Sequence, residues 1–210
     1  MRWLGIATQI VEVSLAWWLF TLLGGVLLGW FPSSVAAVRV LSTLGSDEAS
    51  SRPFEDFVGV WRGEFVRANA VGWPASVVLA VLGVNLWVLS VGGEGWMAPV
   101  LVATVCVALW MVTTIAYLTV LLADERSRSR GSMTLWRAAL ALPLASPGPV
   151  VAWAVSAVSL LVVAWRFPIL VPLAVPGLLA LLTGWLMRRT VDQTGIFTAD
   201  DSRTTISKSA

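Results

Sequence analysis

The feature that most constrains this chain is a set of five apolar runs of about the length that crosses a lipid bilayer. A hydrocarbon core of about 30 Å requires about 20 apolar residues of helix at 1.5 Å per residue. The runs cover residues 13–31, 71–91, 97–122, 150–165 and 167–187. The sequence is 58% hydrophobic and 12% charged, whereas soluble domains are about 25% charged. We therefore predict an all-α, polytopic membrane helix bundle with five transmembrane helices.

The last two runs are predicted to form a tight helical hairpin. They are separated by Arg166, with Trp165 before it and Pro168 close behind. A single bent helix over residues 150–187 would be about 57 Å long at 1.5 Å per residue, nearly twice the hydrocarbon core. We therefore expect two spans, with Arg166 among the lipid headgroups at the tip of the hairpin.

The distribution of basic residues predicts the orientation, because Lys and Arg close to a span are retained on the cytoplasmic side. Of the 14 Lys and Arg residues, all but Arg2 and Arg166 lie between the first two runs, between the third and fourth, or after the fifth. They are Arg39, Arg52, Arg62, Arg67, Arg126, Arg128, Arg130, Arg137, Arg188, Arg189, Arg203 and Lys208. We predict that the N-terminus is outside and the C-terminus is in the cytoplasm.

A cleaved signal peptide is the alternative interpretation of the first run, since Arg2 precedes it. The apolar stretch continues beyond the usual h-region of about 7 to 15 residues, and no clear small-x-small cleavage site follows. Cleavage would also leave four arginines outside. We therefore favour a first transmembrane helix.

Two cytoplasmic segments, residues 53–69 and 132–145, are predicted to be interfacial amphipathic helices. Apolar residues recur every three or four positions in both, with charged residues between them in the first. They either cover the cytoplasmic ends of the bundle or lie among the headgroups, or they dock a partner protein through their aromatic faces. The residues predicted for docking are Phe54, Phe57, Trp61, Arg62, Phe65, Trp136 and Arg137.

The two segments also suggest an internal duplication. In each, a Trp-Arg pair precedes by twelve residues a proline that opens a span, Pro74 in the first and Pro149 in the second. Each segment is then followed by an apolar hairpin. The hypothesis is two copies of one unit, an amphipathic helix plus a hairpin, with the first span outside the repeat.

Two polar residues are candidates for an intramembrane polar site, because such groups are costly in lipid. Glu12 lies near the outer end of the first run, where we predict interfacial anchoring or a salt bridge to Arg166, with an ion or substrate role as the alternative. Asn85 lies within the second run and is predicted to hydrogen-bond a neighbouring helix rather than a ligand. Its predicted partners are Tyr117, Thr113 and Thr114.

Small residues in the first run predict a helix-packing face. Gly24, Gly25 and Gly29 include a Gly-x-x-x-Gly pattern, which lets another helix approach closely. We assign these glycines to packing.

Reactive chemistry is scarce in this sequence. It has no histidine and one cysteine, Cys106, which lies within the third run and is predicted to be an inert buried thiol. No catalytic residue, metal site or cofactor is predicted, and the protein is not expected to be an enzyme or to bind nucleic acid. Residues 1–190 are predicted to form one integral membrane domain, and the polar tail at 191–210 to be a disordered cytoplasmic segment.

The chain resembles the YesL-like family of bacterial membrane proteins, a domain of unknown function. The resemblance extends over about residues 3–187 and is strongest between Gly24 and Pro74. The motifs that carry it are Gly24-Gly25-Val26-Leu27-Leu28-Gly29-Trp30-Phe31-Pro32-Ser33-Ser34-Val35-Ala36-Ala37, Pro53-Phe54-Glu55-Asp56-Phe57 and Trp61-Arg62-x-Glu64-Phe65. It implies a location in the bacterial plasma membrane and an association with carbohydrate ABC importers, beside which members are commonly encoded. It supplies no catalytic or binding residues.

Two functions are compatible with these observations. The first is a non-catalytic accessory or scaffold protein, in contact with the lipid bilayer and with the permease or ATPase subunits of a carbohydrate ABC importer. The second is a transporter-like or channel-like protein that binds a small solute or a lipid and acts as a homo-oligomer.

Overall fold

The computed structural model describes residues 2–44, 52–92 and 97–193. Within these ranges the chain forms eight α-helices and one 3₁₀ turn, Glu125–Ser127, and no β-strand. The helices are α1 (Arg2–Leu23), α2 (Leu27–Leu41), α3 (Pro53–Gly92), α4 (Met97–Ala123), α5 (Ser132–Ala145), α6 (Pro147–Arg166), α7 (Leu170–Leu173) and α8 (Val175–Gln193). The predicted all-helical class is therefore correct. Most of the tail predicted at 191–210 lies outside the described residues.

The first predicted span, residues 13–31, is wrong because the chain breaks within it. Gly25 has a φ of +74° and Val26 a φ of 63°, so the helix ends before them and α2 folds back against α1. A Cβ on Gly24 would overlap the Cα of Gly29, and a Cβ on Gly29 would overlap the carbonyl oxygen of Thr21. The glycines do serve close packing, but between α1 and α2 rather than on one continuous span.

The predicted interfacial helix at 53–69 and the second span at 71–91 form one continuous helix, α3, of 40 residues. Pro74 lies inside it. Proline removes one backbone hydrogen bond, yet α3 continues because α2 and α4 pack along it. At about 60 Å, α3 exceeds the hydrocarbon core, so its charged N-terminal half projects beyond the part that can cross. The prediction of two separate elements was wrong.

The second half of the chain agrees more closely with the predicted bounds. α4, α5 and α6 cover the residues predicted for helices to within three positions at each end. The predicted fifth span, residues 167–187, is wrong, because the one-turn helix α7 is followed by a break at Ala174 before α8 begins. The two proposed repeat units also differ, since α3 is continuous whereas Ser146 separates α5 from α6.

Four of the described helices are long and apolar enough to cross a membrane: Gly5–Leu23, Pro53–Val91, Met97–Ala123 and Pro147–Arg166. α8 is not among them, because Arg188 and Arg189 interrupt it after its first thirteen residues or so, roughly 20 Å of helix. The described helices are compatible with a multi-pass membrane protein, and they include four candidate spans where five were predicted.

The core lies around α2 and the second half of α4. In α2, Val35, Ala36 and Ala37 are fully buried, and in α4 every residue from 113 to 123 is buried. In the most apolar stretch of α4, 61% of the residues are buried, whereas 6% of the residues are buried in the most apolar stretch of α3. α3 and α6 therefore surround this core and present apolar surface outward.

Candidate functional site

Glu64 on α3 is the centre of a buried charge cluster. Its side chain is 2% exposed and accepts contacts from three arginines. Its Oε1 lies 2.9 Å from Nε of Arg128 and 3.3 Å from Nη2 of Arg39, and its Oε2 lies 3.3 Å from Nη1 of Arg67. Both carboxylate oxygens are therefore engaged. We call Glu64, Arg39, Arg67 and Arg128 the arginine joint.

The arginines of the joint also bind backbone carbonyls at the end of α4. Arg39 donates from Nε to the Ala123 carbonyl oxygen at 2.8 Å and from Nη2 to that of Leu122 at 3.1 Å. The last carbonyls of a helix have no partner within it, and a cation there is favourable. Arg39, at the end of α2, therefore caps α4.

Arg67 binds the 3₁₀ turn through hydrogen bonds to Ser127. It donates from Nη2 to the backbone oxygen of Ser127 at 2.6 Å and to its Oγ at 3.1 Å. Asp124 begins this turn by accepting a hydrogen bond from the backbone N–H of Arg126 at 3.0 Å. The joint thus connects α2, α3, the end of α4 and the turn that follows it.

The chemistry of the joint is that of a structural tie with an excess of positive charge. Three guanidinium groups surround one carboxylate, and arginine remains protonated at any ordinary pH. Both oxygens of the Glu64 carboxylate are therefore in contact with guanidinium groups. Across residues 2–44, 52–92 and 97–193, no group of three His, Cys, Asp or Glu side chains could hold a metal ion.

In the sequence, Glu64 lies among the charged residues of the segment 53–69, and the arginines indicate only the orientation in the membrane. The sequence pattern does not predict that Glu64 contacts three of these arginines. The one local signal is the spacing of Glu64 and Arg67, which three residues bring to the same helix face. Arg39 and Arg128 are far away in the sequence, so no periodicity could pair them with Glu64.

The aromatic face predicted to dock a partner packs within the chain. The ring centroid of Phe20 on α1 lies 5.0 Å from that of Trp61, 5.7 Å from that of Phe57 and 6.0 Å from that of Phe54. Phe65 lies 4.8 Å from Trp61, and Phe57 is fully buried. These rings hold α1 against the N-terminal half of α3. A docking role for them stays a prediction, with Phe54 the most exposed.

The second predicted docking segment, residues 132–145, also contains one predicted docking residue that packs within the chain and one that is exposed. Trp136 on α5 is half-buried and donates from its indole nitrogen to the Val71 carbonyl oxygen at 3.2 Å. Arg137 beside it, and Arg62 on α3, are exposed. The structure therefore leaves these two arginines accessible, whereas Trp136 ties α5 to α3.

Of the two predicted intramembrane polar residues, Asn85 has a partner that differs from those expected. Asn85 is exposed and donates to Thr104 Oγ1 of α4 at 3.2 Å, so it joins two helices through a different residue from the three predicted. Glu12 is half-buried, and the ion pairs among the described residues include none between Glu12 and Arg166, so its role stays a prediction. Cys106, predicted to be buried, is exposed.

A cavity of about 410 Å³ is lined by residues of α1, α2, α3, α4, α6, α7 and α8. Four tryptophans line it: Trp17, Trp18, Trp30 and Trp153. Two indole N–H groups are satisfied by hydroxyls, Trp17 by Ser34 at 3.1 Å and Trp153 by Thr183 at 2.9 Å. The buried indole nitrogen of Trp18 has no partner among the described residues. We call this space the tryptophan cavity; its volume lies within the range of small-ligand sites, about 300–1,000 Å³.

The four long apolar helices are compatible with a multi-pass membrane protein. Residues 10–86, which cover most of α1, all of α2 and most of α3, match the family described as "Protein of unknown function, DUF624". The protein named "Uncharacterized protein YesV" from Bacillus subtilis (strain 168) is 39% identical over 69 residues. That match covers 33% of this chain and 33% of the relative's own length. No solved structure has a significant match to the chain.

These findings support the resemblance drawn from the sequence: residues 10–86 match the DUF624 family model, and part of the chain is similar to the relative from Bacillus subtilis. The matched segment contains Arg39, Glu64 and Arg67 of the joint but ends before Arg128.

Proposed function

We propose that this protein is a non-catalytic accessory subunit of the bacterial plasma membrane that associates with a carbohydrate ABC importer. The importer is suggested by what the family resemblance implies. The observation that supports an accessory role is a regular, exposed apolar stripe on each of two helices that could span the membrane.

The first stripe lies on α3. Val77, Val81, Val84, Val88 and Val91 are between 48% and 71% exposed. Their spacings of four, three, four and three residues place them along one seam of the helix, the repeat by which two helices pack side by side. The seam begins three residues after Pro74, beyond the part of α3 that contacts the arginine joint.

The second stripe lies on α6. Val151, Val155, Val158 and Val162 are 59% to 64% exposed and have the same alternation of four and three residues. Close packing between membrane helices depends on van der Waals contact, and regular rows of compact side chains favour it. We infer that the two valine stripes contact the spanning helices of the importer's permease subunits.

A non-catalytic role is supported by the chemistry of the buried groups. Among the residues whose burial the structure describes, Glu64 is the one buried carboxylate, and three arginines contact its oxygens. The remaining buried polar side chains in that part of the chain are hydroxyls and one amide. Such groups commonly satisfy one another between helices.

Co-purification in mild detergent from native membranes tests this proposal. The expected result is recovery of permease or ATPase subunits with the tagged protein, and less recovery when Val81 and Val88 are both replaced by phenylalanine. Val66→Phe is the matched control, because Val66 is 79% exposed but lies in the charged half of α3. Recovery of the protein without any importer subunit, at every detergent concentration, would contradict the proposal.

The tryptophan cavity favours a second candidate, a protein that binds a small solute or a lipid and acts as a homo-oligomer. Its wall is apolar apart from a few hydroxyls, so it would suit a neutral, largely apolar ligand. Uptake by proteoliposomes that contain this protein alone would support the candidate. Replacement of the lining residue Ala180 by phenylalanine should then abolish uptake, and unchanged uptake would exclude the cavity as its route.

A further inference from the structure

A second cavity, of about 290 Å³, lies between the end of α2 and the C-terminal half of α8. We call it the α2–α8 cavity. It is separate from the tryptophan cavity, with which it shares Ala180 of its wall. One part of its lining is aliphatic, including Leu41, Leu44 and Leu181, and the other part carries Trp185, Arg188 and Arg189.

The lining changes from apolar to basic along α8. Leu181, Trp185 and Arg189 follow one another at intervals of four residues, so they lie on one face of the helix. The guanidinium of Arg189 lies over the Trp185 ring, 4.1 Å from its centroid. Tryptophan prefers the boundary between hydrocarbon and headgroups. The order from aliphatic to aromatic to cationic side chains is therefore that of a bilayer leaflet, read from its interior to its surface.

The charge of this lining is one-sided. Its nine residues include two arginines and no Asp or Glu. Arg188 also lines a neighbouring cavity, together with Asp124 and Arg126. The arginine joint, with three arginines to one carboxylate, also contacts the end of α4 from which Asp124 follows. An anion in the α2–α8 cavity would therefore meet a net positive end of the bundle.

We propose that the α2–α8 cavity binds an anionic phospholipid, with the phosphate at Arg188 and Arg189 and the start of one acyl chain along the leucine wall. Arginine binds phosphate in a bidentate manner, and basic pockets between membrane helices are known to bind lipid headgroups. The proposal rests on the membrane location stated above, but it does not depend on the importer.

Binding of soluble short-chain lipids to the detergent-purified full chain tests the proposal. Dioctanoyl phosphatidylglycerol should bind and raise the thermal unfolding temperature, whereas dioctanoyl phosphatidylcholine and inorganic phosphate should not. Arg189→Gln should weaken phosphatidylglycerol binding about fivefold, the effect of about one basic residue at a lipid surface. Arg189→Lys, which keeps the charge, should recover part of it.

Arg137→Gln is the matched control, because Arg137 is also an exposed arginine but lies on α5 outside this cavity. Its phosphatidylglycerol affinity should equal that of the unmodified protein. Equal weakening by Arg137→Gln would overturn the proposal in favour of general surface charge. Equal binding of phosphatidylcholine would overturn it in favour of an unselective apolar groove, and equal binding of inorganic phosphate in favour of a free-anion site.

Discussion

At the scale of single residues, the arginine joint depends on Glu64. Burial of charged side chains carries a desolvation cost that favourable partners offset, and removal of one partner leaves the others buried without compensation. Arg39 and Arg67 are largely buried at 13% and 23% exposure, so both depend on this carboxylate. Arg128 is more exposed, at 54%, and can turn to solvent.

We therefore predict that Glu64→Gln lowers the free energy of unfolding by about 3 kcal/mol, the usual cost of breaking a buried ion pair. Thermal or denaturant unfolding of the purified protein measures it. Glu55→Gln is the control, because the pair of Glu55 with Arg52 is exposed and should contribute little. Equal stability of the two variants would show that the joint is not a stabilising element.

Gly29 allows a second prediction at the same scale. A methyl group there would overlap the backbone of Thr21 and Phe20, and backbone cannot move aside as a flexible side chain can. Gly29→Ala should therefore destabilise the protein by about 2 kcal/mol, as overpacking does. Gly83→Ala is the control, since nothing lies within 4 Å of the added carbon. Unfolding temperatures of the two variants distinguish them, and unaltered stability of Gly29→Ala would contradict the close approach of α1 and α2.

At the scale of elements, the continuity of α3 decides how the charged segment meets the membrane. A continuous helix places Gly59 and Gly83 about 36 Å apart at 1.5 Å per residue, whereas a right-angle bend near residue 70 would give roughly 25 Å. Both glycines have open space around them, so spin labels on Gly59→Cys and Gly83→Cys are accommodated. The exposed Cys106 is first replaced by serine. Electron–electron distance measurements should give about 36 Å. A distance of roughly 25 Å would instead support a separate interfacial helix.

The sequence predicted the helical class and the bounds of α4, α5 and α6, because these helices are marked by long apolar runs or by clear end signals. It failed where a local signal had two meanings. Gly24 and Gly25 were interpreted as a packing motif within a span, but a φ of +74° at Gly25 makes them a turn. Pro74 was interpreted as the start of a span, but it lies within a helix that tertiary packing keeps intact.

The candidate site was less accessible to sequence reasoning than the fold. Glu64 and Arg67 are neighbours on one helix, but Arg39 comes from another helix and Arg128 from the segment after the 3₁₀ turn. The two cavities depend on how α8 packs against α2, which is a property of tertiary structure. Aromatic residues such as Trp61 gave a correct pattern of one helix face, but not the identity of its neighbour, Phe20.

At the scale of the whole molecule, the basic end of the bundle contains the C-terminal ends of α2, α4 and α8 and the N-terminal half of α3. Arg39 reaches α4, and Arg188 lines a cavity with Asp124 and Arg126. Arg166, the last residue of α6, is exposed and is not part of this group. Such an asymmetry of charge is what the positive-inside rule uses to orient a membrane protein.

We accordingly predict that cysteines at positions 62 and 137, in a chain with Cys106→Ser, are labelled by a membrane-impermeant reagent only after the cells are permeabilised. A cysteine at position 166 should be labelled in intact cells, because it belongs to the opposite end. These three arginines are exposed, so substitution should not disturb packing. Labelling of positions 62 and 137 in intact cells would show that this end of the bundle faces outside, which would contradict the predicted orientation.

The arginine joint has a consequence for biosynthesis. All the groups that bind Glu64, and the backbone oxygens that hold Arg39 and Arg67, belong to the first 128 residues of the chain. Proteins are inserted as they emerge from the ribosome, N-terminal parts first. A nascent chain that has left the ribosome as far as α5 can therefore form these contacts before α6 and α8 emerge. The helices α6 and α8, which contribute lining residues to the cavities, then pack against helices that the arginine joint already holds together.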